Sequence, residues 1–292
     1  MNKPGDMPAP IADRSGHLER DGRRIYWEYF GRGDREAVCL LNGLAMHTRA
    51  WYGFLPLLQP QVDVLLWDYP GQGQSSAEDL AVTIPRFCDY LTDIVDGLGL
   101  DRFHLMGISY GGFVALDYAR LYQERLHTLT LSGILLSHEA LFDMYQDLSL
   151  LFYRKGDEVF EVYTHYMYEK IFGETFVRTV RDGLDDMRQR FYERYRDQRH
   201  SLIRLTEAQN PFFESLDANL AGYRAIRTPT LIMAGEQDRA IPPWVQRKIT
   251  GILPCTRFDA VPECGHVVYL ERPDLFFGRL TRFVNARTLD FQ

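Results

Sequence analysis

The sequence has 292 residues, of which 46% are hydrophobic and 25% are charged. These proportions are typical of a globular protein, and the length allows one large domain or two small ones. The net charge of −7 at pH 7 argues against a nucleic-acid partner, because binding to phosphates needs a concentrated basic surface.

Membrane insertion and secretion are also not indicated. No apolar run approaches the roughly 20 residues of a membrane span, and the stretch from Met1 to Ser15 has no apolar core of a secretory signal. The four cysteines are widely spaced and lack the spacing of a metal site. We therefore expect a reduced, cytoplasmic protein without a metal or cofactor, whose oligomeric state the sequence does not indicate.

In the first half of the chain, short apolar runs alternate with helical patterns. Residues 1–16 are predicted to be a flexible tail, and Asp21-Gly22 predicts a β-hairpin over residues 17–31. The apolar runs predict strands at 37–41, 62–67, 103–108 and 126–136, and the periodic segments predict helices at 51–58, 84–98 and 111–122.

The alternation resumes near the C-terminus, with strands predicted at 230–234 and 257–261 and helices at 243–252 and 272–284. Repeated strand–helix units favour a mostly parallel, doubly wound α/β sheet with helices on both faces. We assign this core to residues 17–137 and 224–292. Residues 138–223 are helical in pattern and rich in Phe and Tyr. This helical insertion is predicted to be a lid over an apolar pocket, or else a separate helical lobe with its own core.

Ser109 is the candidate nucleophile. It is the central residue of Gly107-Ile108-Ser109-Tyr110-Gly111, a Gly-x-Ser-x-Gly pattern that lies between a predicted strand and a predicted helix. That context is the one in which the pattern places a serine on a sharp turn with its hydroxyl exposed.

A serine hydroxyl needs a base to accept its proton, and the base needs a carboxylate to orient it. His266 is the best candidate base, because it lies in a loop after a predicted strand. Asp238 follows the strand at 230–234, at the edge of the sheet where ligands bind in α/β folds. Glu236, two residues away, remains an alternative partner for the histidine.

The order Ser109, Asp238, His266 resembles that of the α/β-hydrolase family, and further motifs extend the resemblance over residues 17–284. Residues 68–75 are similar to the family's D-x-x-G-x-G-x-S turn, and residues 265–273 to its G-H-x(4)-E-x-P ending. Residues 68–75 lack the third glycine of a dinucleotide-binding loop, so we expect no nucleotide cofactor. The resemblance implies a catalytic triad and an oxyanion hole formed by the backbone N–H groups of Leu44 and Tyr110.

One residue departs from the family pattern. The family usually has His-Gly before the oxyanion donor, and this chain has Asn42-Gly43. In this it resembles a subgroup of hydroxyacyl transacylases related to rhamnolipid-precursor synthesis, which also has a long helical insertion.

The expected activity is hydrolysis of a carboxylic ester through an acyl-enzyme, with a medium-chain or bulky apolar acyl group. The partner is then a small-molecule ester or acyl substrate. Acyl transfer with the same triad is an alternative, as is a ligand-binding protein of low turnover on the same fold. Carbon–carbon, amide and peroxide chemistry on the triad also remain open.

Overall fold

The computed structural model describes residues 10–77 and 82–291, so the first nine residues of the predicted tail lie outside it. Strand β1 (Arg14–Arg20) pairs antiparallel with β2 (Arg23–Phe30). The predicted tail of residues 1–16 therefore extends too far, because residues 14–16 belong to β1. Arg14 to Gly16 have little strand propensity of their own, but they complete the pairing with β2, where Gly16 lies opposite Trp27.

The sheet of the described residues has eight strands in the order β1-β2-β4-β3-β5-β6-β7-β8. The antiparallel pairs are β1–β2 and β2–β4, and all other neighbours are parallel. This confirms the predicted α/β class with a mostly parallel sheet. The remaining strands are β3 (Ala37–Leu41), β4 (Asp63–Trp67), β5 (Phe103–Ile108), β6 (Leu126–Ser132), β7 (Thr230–Gly235) and β8 (Thr256–Val261). Strand β6 ends four residues before the predicted Leu136, because Gly133 turns the chain with a φ of +64°.

Helices cover both faces of the sheet, and neighbouring strand residues point to opposite faces. Val38 and Leu40 belong to one apolar cluster, whereas Cys39 and Leu41 belong to the other. One face is covered by α1 (Leu55–Leu58), α12 (Val268–Glu271) and α13 (Pro273–Ala286), and the other by α2 (Ile84–Leu98), α3 (Tyr110–Tyr122) and α11 (Pro243–Arg247). No helix in the described ranges combines the length and the apolar composition that a membrane span needs.

Between β6 and β7 the chain forms helices only. These are α4 (Ala140–Arg154), α5 (Asp157–Ile171), α6 (Glu174–Val180), α7 (Leu184–Tyr195), α8 (Arg199–Glu207), α9 (Asn210–Glu214) and α10 (Leu216–Arg224). Part of the aromatic content forms a core internal to this helical insertion, centred on Phe160, which is 0% exposed. Other aromatic side chains of the insertion face a cavity above the sheet.

Candidate active site

Ser109 lies on a strained turn between β5 and α3. Its φ of 47° and ψ of −119° are unusual for a residue with a side chain. The flanking glycines are required by close backbone contacts: a side-chain carbon at Gly111 would lie 2.6 Å from the carbonyl oxygen of Leu41, and one at Gly107 would overlap the Gly111 carbonyl. The Gly-x-Ser-x-Gly pattern thus allows β5 and α3 to meet closely enough to present the serine at the end of the strand.

His266 and Asp238 form a buried pair. The His266 Nδ1 atom lies 2.8 Å from Asp238 Oδ2, and the two residues are 8% and 3% exposed. Asp238 Oδ1 accepts hydrogen bonds from the amides of Ala240 and Ile241, at 2.9 and 2.8 Å. Because an ionised carboxylate only accepts hydrogen bonds, Nδ1 carries the ring proton in the neutral imidazole and Nε2 is left as a base. Glu236 is exposed and does not take the place of Asp238 in this contact.

Two residues that support this pair were not identified from the sequence. Gln246, 0% exposed, donates from Nε2 to Asp238 Oδ2 at 3.0 Å and accepts from the amide of Gly133 at 3.0 Å. A side-chain carbon at Gly133 would lie 2.6 Å from His266 Cε1, so only glycine leaves room for the imidazole. The sequence gives no clear signal for Gln246, which lies between Val245 and Arg247 in a short helix.

The predicted oxyanion donors belong to two residues that line the cavity together with Ser109. Leu44 is in the loop after β3, Tyr110 is the first residue of α3, and both line the same cavity as Ser109. In the described parts of the chain, no protein group accepts a hydrogen bond from either backbone amide. Two free amides beside a serine are the arrangement that stabilises a developing oxyanion.

Asn42 does not face the cavity. Its side chain is 0% exposed, donates to the Trp67 carbonyl at 2.8 Å and accepts from the Trp51 indole N–H at 2.6 Å. Asn42, which departs from the family pattern, therefore connects the loop carrying Leu44 by hydrogen bonds to β4 and to the segment that follows the loop. Its amide supplies one donor and one acceptor to two groups that have no access to water.

We expect Asn42→Ala to lower the free energy of unfolding by about 2–6 kcal/mol. The substitution leaves two buried groups without partners, at a cost of about 1–3 kcal/mol each. Urea denaturation measures the loss, and Asn285→Ala is the control because Asn285 is exposed. Equal stabilities of the two variants would contradict this role for Asn42.

Asp68 connects the same loop to the glycine turn at residues 68–75. It is 0% exposed, and its carboxylate accepts from the amides of Thr48 at 2.7 Å and Gln74 at 2.8 Å. Burial raises the pKa of Asp68 to about 6, although the two amides favour the ionised form. The D-x-x-G-x-G-x-S turn thus has a structural role, since it fixes the loop that presents Leu44.

Ser109 and His266 open into a cavity of about 250 Å³, slightly below the roughly 300–1,000 Å³ of typical ligand pockets. Within the described chain, no Lys, Arg, Asp or Glu lines it. The lining residues from the helical insertion include Phe142, Tyr145, Met167, Ile171, Phe172 and Phe191.

The insertion is hydrogen-bonded directly to the loops that carry the His–Asp pair. The amide of His266 donates to the Ile171 carbonyl at 2.7 Å, and Gln237 Oε1 accepts from the amide of Glu174 at 2.7 Å. Glu271 Oε2 accepts from the amides of Gly265 at 2.9 Å and Gly173 at 3.2 Å. The junction of α5 and α6 is thereby fixed against both loops.

The pKa of His266 is raised from its usual value of 6.5. Burial opposes the charged imidazolium, but the negative charge of Asp238, their hydrogen bond and the charge of Glu271 together outweigh it. The site therefore stabilises the protonated histidine that forms when a hydroxyl proton is transferred to it.

Known proteins resemble this chain over most of its length. The chain is 27% identical over 280 residues to 2-hydroxy-6-oxo-6-phenylhexa-2,4-dienoate hydrolase from Comamonas testosteroni, covering 92% of this chain and 94% of that protein. It is also 27% identical over 271 residues to monoacylglycerol lipase abhd6-B from Xenopus laevis, covering 87% and 77%. The crystal structure of MGS-M2, an alpha/beta hydrolase enzyme from a Medee basin deep-sea metagenome library, superposes with a TM-score of 0.86 and 24% identity, over 95% of this chain and 100% of that one.

The sequence model of the alpha/beta hydrolase fold matches residues 36–273, which include β3, Ser109, Asp238 and His266. That range begins at the first parallel strand and ends at the start of α13, so it spans both parts of the sheet and the insertion between them. This chain belongs to the alpha/beta hydrolase fold family.

Proposed function

We propose that the protein is a serine hydrolase that cleaves uncharged carboxylic esters through an acyl-enzyme. The observation that carries the proposal is the cavity lined by Ser109 and His266, the histidine being paired with the buried Asp238. The described lining of this cavity contains no Lys, Arg, Asp or Glu. An uncharged ester fits this site for two reasons. Its carbonyl carbon can be attacked by the serine, and its remaining groups need no charged partner in the cavity.

In the proposed mechanism, Ser109 Oγ attacks the ester carbonyl carbon while His266 Nε2 accepts the hydroxyl proton. Asp238 holds the Nδ1–H of His266 and stabilises the imidazolium. The amides of Leu44 and Tyr110 donate hydrogen bonds to the oxyanion. The imidazolium then protonates the departing alkoxide, which leaves the acyl group on Ser109. Water, activated by the same histidine, attacks the acyl-enzyme, and the acid is released with the serine restored.

The helical insertion acts as a lid in this proposal, and its apolar side chains receive the acyl group. We expect kcat/KM to rise from acetyl to a medium-chain ester, because each fully buried methylene contributes about 0.8 kcal/mol. Four additional methylenes would contribute at most about 3 kcal/mol, which corresponds to roughly a 100-fold preference.

Acetyl, butyryl, octanoyl and dodecanoyl esters of one chromogenic alcohol, assayed below their critical micelle concentrations, measure this preference. A self-contained helical lobe would give a flat or falling profile. A maximum at the acetyl ester would contradict the acyl pocket.

Carbon–carbon bond hydrolysis is a second candidate, because the relative from Comamonas testosteroni is named for a substrate with a dienoate carboxylate. The described cavity lining contains no Lys or Arg to pair with such a carboxylate, and burying an unpaired charge is costly. We therefore expect kcat/KM for octanoyl esters to exceed that for the named dienoate. The opposite order would favour carbon–carbon hydrolysis.

Acyl transfer to a hydroxyl or thiol acceptor is not favoured by the site, since the Asn42 side chain that suggested it lies outside the cavity. Product formation that depends on an added alcohol or thiol, at constant total ester consumption, would favour a transacylase.

The pH dependence of kcat/KM is expected to have an acid limb with a midpoint above about pH 6.5, the usual pKa of histidine. His266 must be neutral to accept the Ser109 proton, and its raised pKa means that activity is lost as the pH falls through this higher value. Removing one negative charge with Glu271→Gln should move the midpoint to lower pH. Glu263→Gln is the control, because Glu263 is exposed in the loop that carries His266. A midpoint that is the same in all three proteins would contradict the contribution of Glu271.

A further inference from the structure

The cavity wall contributed by the helical insertion is not uniformly apolar. On α4, the side chains of Gln146, Ser149 and Tyr153 line the cavity at the spacing of one helix face. Gln209, just after α8, lines it from the facing segment. These groups donate and accept hydrogen bonds but carry no formal charge.

Gln146 and Gln209 form a pair with unused hydrogen-bonding capacity. Gln209 is 3% exposed, and its Nε2 donates to Gln146 Oε1 at 3.4 Å and to the Thr206 carbonyl at 3.3 Å. Both contacts are longer than a typical N–H···O bond. In the described chain, no protein group donates to Gln209 Oε1 or accepts from Gln146 Nε2. A buried amide that lacks partners on one side and faces a cavity is ready to bind a polar group there.

Tyrosine hydroxyls extend this polar wall. Tyr153 donates to the Tyr163 hydroxyl at 2.8 Å, and both residues line the cavity. Burial raises the pKa of Tyr153 well above its usual value and also raises the pKa of Tyr163. Both hydroxyls therefore stay protonated. Because Tyr153 donates its proton to Tyr163, the Tyr153 hydroxyl can accept a hydrogen bond from a ligand and the Tyr163 hydroxyl can donate one.

We propose that Gln146, Gln209 and the Tyr153–Tyr163 hydroxyl pair form a subsite for an uncharged hydrogen-bonding group, such as a hydroxyl, on the acyl chain of the substrate. This inference rests on the proposed ester hydrolysis and specifies its substrate class as hydroxylated acyl esters. A purely aliphatic chain would cover these amides and hydroxyls without satisfying them. A carboxylate at the same place would lack a cation, because no Lys or Arg lines the described cavity.

The kinetic test compares the octanoyl ester with its 3-, 5-, 7- and 8-hydroxyoctanoyl counterparts on the same chromogenic alcohol. In an apolar pocket, every hydroxylated ester would react about 10-fold more slowly or worse, because its hydroxyl would be buried without a partner. The subsite predicts that at least one isomer reacts as fast as the octanoyl ester or faster. Gln209→Met, similar in volume but apolar, should lower kcat/KM for that isomer by about 10-fold and change it for the octanoyl ester by less than about 2-fold.

Gln189→Met is the matched control, because Gln189 is exposed on α7 and does not line the cavity. It should leave the ratio of the two substrates unchanged, whereas damage to the fold alone would slow both esters equally. A penalty of 10-fold or more for every hydroxylated isomer, or an unchanged ratio in Gln209→Met, would overturn the subsite and leave ester hydrolysis standing.

Calorimetric binding of the corresponding uncleaved amides, octanamide against the same hydroxyoctanamides, tests the subsite without turnover. We expect one hydroxylated amide to bind the wild-type protein at least as tightly as octanamide, and to lose about 10-fold in affinity in Gln209→Met. Such binding with no cleavage of any ester would contradict the proposed function and support the subsite. Weaker binding of every hydroxylated amide would refute the subsite.

Discussion

Replacing Ser109 with alanine is expected to lower kcat for a medium-chain ester by about 10⁶-fold. Loss of the nucleophile from a triad costs about this much in serine proteases, because the histidine and carboxylate have no function without it. The fold should remain intact, since the strained backbone at this position is held by the close packing of β5, α3 and the end of β3 and not by the serine hydroxyl.

The control is Ser15→Ala, which removes an exposed serine in β1 that does not line the cavity. It should retain full activity, and both variants should unfold at the same denaturant concentration as the wild type. Esterase activity of Ser109→Ala within 10-fold of the wild type would rule out Ser109 as the nucleophile.

Asp238→Asn should lower kcat by roughly 10⁴-fold, by analogy with the same change in serine proteases. The asparagine can still accept from the amides of Ala240 and Ile241, so the loop should keep its shape. Its NH₂ group would then face His266 Nδ1 and Gln246 Nε2, where the wild type has an acceptor. The imidazole would be held in the tautomer with its proton on Nε2, which cannot accept the serine proton.

Glu236→Gln is the matched control, because it neutralises an exposed carboxylate two residues away. Its kcat should stay within about 2-fold of the wild type. If Glu236→Gln is the damaging substitution and Asp238→Asn is mild, then Glu236 is the partner of the histidine in solution.

The sheet could be predicted well because its strands β3, β4, β5 and β7 are short, fully buried and separated by recognisable turns. Strands β3 and β5 have the predicted bounds, and so does α2, whose start is marked by Thr83 and Pro85. The apolar residues of β3 and β5 are buried only when helices cover both faces of the sheet. The exceptions have two causes. Strand β1 extends into the predicted tail because it pairs with β2, and β6 ends early because the backbone turns at Gly133.

The helical insertion was less predictable. Its aromatic residues occur in nearly every turn, so the sequence does not distinguish those that pack around Phe160 from those that face the cavity. Gly133 is not recognisable from the sequence because it contacts His266 from a distant part of the chain. Gln246 lies only eight residues from Asp238, but the sequence does not show that its side chain turns inward to the His–Asp pair. Asn42 was noticed as a departure from the family, but only the contacts with Trp51 and Trp67 explain it.

The most direct test of Ser109 as an activated nucleophile is covalent labelling of the wild-type protein with a fluorophosphonate, followed by mass-spectrometric mapping of the adduct. An activated serine nucleophile attacks the phosphorus and displaces fluoride, whereas a serine without its base reacts poorly. We expect one adduct per chain, located on Ser109, with labelling abolished in Ser109→Ala and strongly slowed in Asp238→Asn. Absence of labelling, as expected of a ligand-binding protein without turnover, or an adduct on another residue, would contradict this role of Ser109.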